Sequence, residues 1–163
     1  MNKFRNLILL LFDGGVEFIV IGGVAGAVHG ADSDTKDLDV VYRRTRENIR
    51  RLVQCLAPVS PYLRGAPPGL PFRFDEETVQ RGLNFTLTTS LGALDLLGEV
   101  TGGGKYEDLR PHSITAEVAG VSCLCLGLKK LIEVKRAAGR PRDLNAVAEL
   151  EALLEEKEKQ PGS

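Results

Sequence analysis

Phe18-Ile19-Val20-Ile21-Gly22-Gly23, followed by Thr35-Lys36-Asp37-Leu38-Asp39-Val40, is the part of the chain that decides its fold. The first half reads as a buried strand ending on two glycines, the second as a strand that carries two aspartates. A short helix fits between them. Side chains on a strand alternate faces, so Asp37 and Asp39 point the same way while Leu38 and Val40 point into the core. Two carboxylates on one rigid face repel each other unless a cation sits between them. Hard oxygen ligands of this kind suit Mg²⁺, whose other ligands are usually waters and substrate phosphates. A glycine pair at a strand-to-helix turn lets the backbone approach a phosphate, and the helix N-terminus offers its amides. The two halves together point to phosphate and metal in one cleft.

Upstream, Phe4, Leu7, Ile8 and Leu11 have helical spacing and predict a core helix closed by Gly14-Gly15. A strand over residues 16–21, a short helix over 24–29, a loop over 30–36 and a strand over 37–42 follow. Thr45 is a natural N-cap for a helix whose Ile49, Leu52, Val53 and Leu56 fall at i, i+3, i+4 and i+7. Pro58 and Pro61 end it. Residues 63–71 hold too much Pro and Gly for regular structure, and loops of that length in a compact domain are often functional.

Strands over 83–89 and 93–97 form a hairpin that carries Asp95, in Leu94-Asp95-Leu96-Leu97, back beside Asp37 and Asp39. After a Gly102-Gly103-Gly104 loop, a second hairpin is expected over 112–118 and 121–126, turning at Ala119-Gly120. Two helices close the chain. The first presents Leu128, Leu131, Ile132 and Lys135 on one face and ends near Gly139. The second starts at Pro141 and runs to about Lys157, with Leu144, Val147, Leu150, Leu153 and Leu154 as its core stripe. Residues 1–157 therefore read as one α+β (α/β) domain, and 158–163 as a frayed tail. The plan is a mixed sheet with helices mainly on one side and two C-terminal helices. Its antiparallel pairs argue against a doubly wound parallel sheet.

At 163 residues the chain is long enough to bury a proper core, and 43% hydrophobic with 26% charged residues is the balance of a soluble globular protein. No apolar run approaches a membrane span. Leu7-Ile8-Leu9-Leu10-Leu11 is followed by Asp13 and a strand, not by the cleavage site of a signal peptide. A net charge of -1 argues against strong nucleic-acid binding. Three cysteines without a Cys-x-x-Cys pair fit a reducing cytoplasm. Cys123 and Cys125 alternate with leucines and read as strand packing, and zinc lacks a second ligand pair.

Gly22-Gly23, then Asp37-Leu38-Asp39, then Asp95 on a later strand form an ordered set that resembles the nucleotidyltransferase superfamily. That group includes polymerase beta-like enzymes, antibiotic nucleotidyltransferases and minimal nucleotidyltransferases. The closing helices are similar to those of small bacterial relatives in which Leu-x-x-x-Lys-Arg-x-x-x-Arg-Pro-x-Asp recurs, here Leu131 through Asp143. The resemblance implies Mg²⁺-dependent transfer of a nucleoside monophosphate from an NTP to a hydroxyl acceptor, which is a protein, an RNA or a small molecule. Asp37 and Asp39 would then bind both of two Mg²⁺ ions, and Asp95 the ion at the acceptor hydroxyl. Gly22, Gly23 and Lys135 would hold the nucleotide. Two departures imply a looser grip on triphosphate. Val24 stands where Ser or Thr often follows the glycines, and Ser33 about where an arginine often falls. The same resemblance admits a catalytically weak binding partner in a toxin–antitoxin-like pair. A metal-dependent phosphohydrolase would use the same carboxylates.

Several residues keep two readings. Lys135, on an inward helical stripe, needs either a carboxylate partner or a phosphate. Asp95 sits in an apolar run, where an unpaired carboxylate is costly, so a cation or a salt bridge must meet it. Asp143 is a helix cap or a partner of Lys135 or Arg140. Arg64 has a claim as a substrate contact. Arg136, Arg140 and Arg142 read as a solvated basic face, His29 as packing or capping. Asp32 and Asp34 are loop residues, since Lys36 and Arg43 break an EF-hand pattern.

Overall fold

A computed structural model describes residues 2–32 and 34–160. Ser33 and residues 161–163 of the expected tail lie outside the described residues. The chain opens with a 3₁₀ turn over Asn2–Phe4 and helix α1 (Arg5–Asp13), whose Leu7, Ile8 and Leu11 are buried. Strand β1 (Phe18–Ile21) leads straight into α2 (Gly22–Val28), which begins on the glycines themselves, two residues before the expected start. Strand β2 (Asp37–Tyr42) has the expected bounds. Thr45 caps α3 (Arg46–Leu56), its side chain accepting from the Asn48 amide at 3.2 Å.

The Pro/Gly segment is not wholly irregular, because Tyr62–Leu63 forms a short strand, β3. A six-residue helix, α4 (Glu76–Arg81), then appears where no periodicity announces one. Only Val79 of α4 is buried. The Asp75 carboxylate caps its start, and the Arg44 guanidinium donates to the Val79 and Gln80 carbonyls at its end. Strands β4 (Phe85–Thr89) and β5 (Gly92–Leu97) make the first hairpin, and β6 (Ser113–Val118) and β7 (Val121–Leu126) the second. Between the hairpins lies one helical turn, α5 (Tyr106–Leu109). Helices α6 (Leu128–Ala138) and α7 (Pro141–Glu158) close the fold, separated by Gly139 in the left-handed region.

One seven-stranded sheet runs in the order β3-β4-β5-β2-β1-β7-β6. It is mixed, as expected. β2–β5 and β1–β7 are parallel, and the other four neighbouring pairs antiparallel. The central strands β1, β2 and β5 supply Ile19, Val20, Leu38, Val40, Leu94 and Leu96 to the core. Cys123 and Cys125 pack inward from β7, and burial pushes their thiols up to about 11 and about 12. Asn48, almost fully buried, ties the core edge together. It accepts from the Glu17 amide and donates to the Glu17 and Arg43 carbonyls. No helix is long and apolar enough to cross a membrane among the described residues.

The stripe expected on α7 needs one correction. Val147 and Leu150 are buried, but Leu144 is 50% exposed and Asp143 takes the inward position beside it. Arg140 and Asp143 form a capping box at the start of α7, with the Arg140 amide donating to Asp143 Oδ2 at 3.3 Å. That box turns Asp143 inward, and the next residue along a helix lies about 100° away around the axis. Leu144 therefore faces water.

Candidate active site

The aspartates owe their meeting to register. Parallel pairing of β2 with β5 sets Asp39 opposite Asp95 and Asp37 opposite Ala93. On the other side of β2, antiparallel pairing sets Asp39 opposite Ile21, the last residue of β1. The turn after Ile21 thus comes over the aspartate. Gly22 has φ +68, a conformation L side chains adopt at a cost, and a Cβ there would collide with Asp39 Oδ2. The sequence suggested that this glycine makes room for a phosphate. In the fold it makes room first for a carboxylate.

Asp37, Asp39, Asp95, Gly22, Gly23 and Lys135 all line one cleft. Lys36, Arg140 and Arg142 form its basic side, Asp143 lies beside Arg140, and the exposed Asp32 and Asp34 complete the lining. Past Asp39 and Asp95 the cleft continues into a cavity of about 370 Å³ with an apolar floor of Leu97, Val100, Leu131 and Val134. Asn84, Glu99 and Thr101 add polar groups to that cavity. α6 stands over this side of the sheet and contributes both the floor leucine and Lys135.

Charge is unevenly matched in the cleft. Burial, then a hydrogen bond with Asp95, then the charges of Asp95 and Asp37 push the Asp39 carboxyl up to about 8, with Lys135 opposing. Burial also works against the Asp143 carboxylate, but the Arg140 guanidinium outweighs it and holds the group below its ordinary value. Arg140 Nε donates to Asp143 Oδ2 at 2.5 Å and Nη2 to Oδ1 at 3.2 Å. Asp143 is thus both cap and ion-pair partner of Arg140, and Lys135 acts on it through charge without direct contact. The Lys135 ammonium makes no ion pair within 4 Å among the described residues, and it faces the cleft.

Arg64 is the residue whose place the sequence did not reveal. Its amide donates to Thr86 O, continuing the β3–β4 ladder by one residue. Thr86 in turn lies opposite Asp95. Arg64, Thr86, Asp95 and Asp39 therefore form a row across four strands, and the Arg64 side chain reaches over β4. Its Nη2 donates to Asp95 Oδ1 at 2.8 Å and to Leu87 O at 2.6 Å, and Nη1 lies 3.5 Å from Asp37 Oδ1. The salt bridge required by Asp95 in its apolar run is this one. The register that creates it joins residues far apart in the chain, and only a lone arginine beside a Pro/Gly loop hinted at it.

His29 packs as expected. It is buried at the end of α2, with Nε2 2.8 Å from Leu126 O and Nδ1 3.2 Å from Lys157 Nζ. Arg136, on the outer face of α6, pairs with Glu151.

The chemistry of the donor set suits a hard divalent cation. The acids are all carboxylates and they share a face, and burial together with the neighbouring Asp95 and Asp37 raises the Asp39 carboxyl, so added positive charge would be met favourably there. The arrangement is not a finished cage. Among the described residues no three His, Cys, Asp or Glu side chains group closely enough to hold a metal ion. Arg64 spans Asp37 and Asp95 instead.

No family model matches the sequence, and no curated protein matches it. Solved structures do match its fold. A lincosamide antibiotic adenylyltransferase, LnuA, in a lincomycin-bound structure, superposes with TM-score 0.61 at 11% identity, over 93% of this chain and 96% of that one. A Thermotoga maritima protein assigned as a nucleotidyltransferase gives 0.52 at 15% identity, over 97% and 94%. An antigenic nucleotidyltransferase-like protein from Paracoccidioides brasiliensis gives 0.50 at 13% identity, over 91% and 74%. With its aspartates in register across β2 and β5 beside a Gly-Gly turn, the chain has the nucleotidyltransferase fold.

Proposed function

We propose that this protein transfers a nucleoside monophosphate from an NTP to a hydroxyl acceptor, with Mg²⁺ held by Asp37, Asp39 and Asp95. The observation that carries the reading is the pairing of Asp39 with Asp95 across β2 and β5, with Asp37 on the same face, within this fold. Bound there, divalent cations would offset charge on the entering and leaving oxygens of an in-line displacement. The protein's own part is position and electrostatics. Lys36, Lys135, Arg140 and Arg142 give the cleft a positive side for the triphosphate. Asp95, which lines both the cleft and the apolar cavity, would in this reading orient the acceptor hydroxyl and take its proton. The cavity floor offers apolar surface to an organic group next to the carboxylates. Three free thiols, of which Cys123 and Cys125 are buried, favour a reducing cytoplasm as the setting.

One observation favours a second reading. Arg64 already neutralises part of the acidic cluster, as it would in a catalytically weak member that serves as a binding partner in a toxin–antitoxin-like pair. Incubation with Mg²⁺ and α-labelled NTPs, with cell lysate as the acceptor source, separates the two. Transfer of label to an acceptor supports the enzyme, and its loss in Asp39→Asn assigns the site. Absence of both nucleotide binding and transfer supports the binding partner. Release of labelled nucleotide with no labelled acceptor would instead indicate hydrolysis.

A further inference from the structure

We propose that Arg64 is the resident counter-ion of the Asp37–Asp95 pair, and that a divalent cation entering the cleft displaces it together with the loop that follows. This inference rests on the cation reading above. Three observations carry it. First, the guanidinium lies where positive charge belongs, bound to Asp95 at 2.8 Å and within 3.5 Å of Asp37. A guanidinium stays charged at any physiological pH, so a metal ion must compete with it for the same oxygens. Second, the hold is incomplete. Arg64 Nε is buried with no hydrogen-bond partner among the described residues, a cost that leaving the cleft would relieve, and the Asp37 contact is long. A divalent ion brings twice the charge to the same carboxylates.

Third, the backbone beyond Arg64 is built to pivot. Gly65 follows at φ +82 and Gly69 at φ +92, both in open space, and Pro67, Pro68 and Pro71 lie around them. Within residues 65–71, backbone pairing among the described residues amounts to the Ala66 amide on Leu63 O and the Leu70 carbonyl accepting from the Phe72 amide. The loop is held down chiefly by Tyr62, whose hydroxyl donates to Pro67 O at 2.7 Å and accepts from the Leu70 amide at 3.1 Å. Strand β3 stays in the ladder through Leu63 and the Arg64 amide, so the side chain and loop can leave while the sheet keeps its register. The chain would thus hold its carboxylates in place without metal, and couple metal entry to exposure of the loop.

The test is calorimetric titration of MgCl₂ and MnCl₂ into the full chain and into Arg64→Ala and Arg64→Gln, the second variant retaining a hydrogen-bonding side chain. Both variants are expected to bind the cation at least tenfold more tightly than the wild-type protein. On the wild-type protein, trypsin should cut the Arg64–Gly65 bond several-fold faster with Mg²⁺ than in EDTA, read by mass spectrometry of the first fragments. Equal or weaker cation binding by both variants overturns the proposal, as does an unchanged cutting rate. If binding is equal in all three proteins and Asp37→Asn abolishes it, Arg64 is a fixed structural partner and the cation site stands. If none of the proteins binds either cation, the cation reading falls and this inference with it.

Discussion

Replacing Asp39 with Asn should stabilise the protein in the absence of divalent cations, and the gain should grow with pH. In the fold the Asp39 carboxyl titrates at about 8 against an ordinary 3.8, through burial, its hydrogen bond with Asp95 and the neighbouring charges. The folded protein therefore keeps a proton that the unfolded chain releases near pH 4. Across that window stability from this group falls as pH rises, and the loss is complete above about pH 8. A gap of roughly four pKa units, at about 1.36 kcal/mol each, sets a ceiling of about 5 kcal/mol. Water reaches the cleft beside Asp37, whose side chain is 39% exposed. Screening by that water brings the expected gain to about 2 kcal/mol at pH 8.5. The Asn amide can donate to Asp95 as the protonated carboxyl does, so the hydrogen bond survives the change. Urea denaturation followed by circular dichroism in EDTA, at pH 4.5 and pH 8.5, measures the effect. A gain no larger at pH 8.5 than at pH 4.5, or a loss of stability at pH 8.5, would refute the charge-crowding argument.

Other changes test the same architecture. Gly22→Ala meets both the left-handed backbone and Asp39 Oδ2, and should cost about 2 kcal/mol or more, read as a lower melting temperature. Gly26→Ala, whose added Cβ would meet only ordinary contacts, should not. Asn48→Ala leaves the Glu17 amide and two carbonyls without their side-chain partner and should cost about 3 kcal/mol in urea denaturation. His29 has its pKa lowered, first by burial and further by Lys157, against a hydrogen bond to Leu126 O that raises it. The unfolded chain therefore takes up the proton more readily, and stability should drop as pH falls through about 6.5. His29→Gln should flatten that slope between pH 7.5 and 5.5. A slope unchanged in the variant would place its origin elsewhere.

The sequence by itself determined the local elements and one half of the site. Period-two alternation in β2 puts Asp37 and Asp39 on one face whatever the rest of the sheet does, because backbone pleating alone sets it. Glycine pairs, Thr45 and the Ala119-Gly120 turn mark ends that depend on φ/ψ and on a single cap, and these too are local. The hairpin signal placed β4 beside β5, and the apolar stripe placed Lys135 on an inward face. The strength of such signals fades in short elements. α4 escaped notice because one buried valine makes no period, and its ends are held by Asp75 and by Arg44 from a distant segment.

Tertiary structure decided everything that depends on who ends up opposite whom. Parallel pairing of β2 with β5 is set by burial over the whole sheet, and it alone makes Asp39 and Asp95 neighbours. Adding β3 at the far edge brings Arg64 into the same row. The turn of α7 that buries Asp143 in place of Leu144 comes from a cap that competes with hydrophobic spacing. A carboxylate's partner, its pKa and its readiness for a cation follow from those long-range placements. Coulomb and hydrogen-bond energies depend on distance in space, and separation along the chain does not specify it.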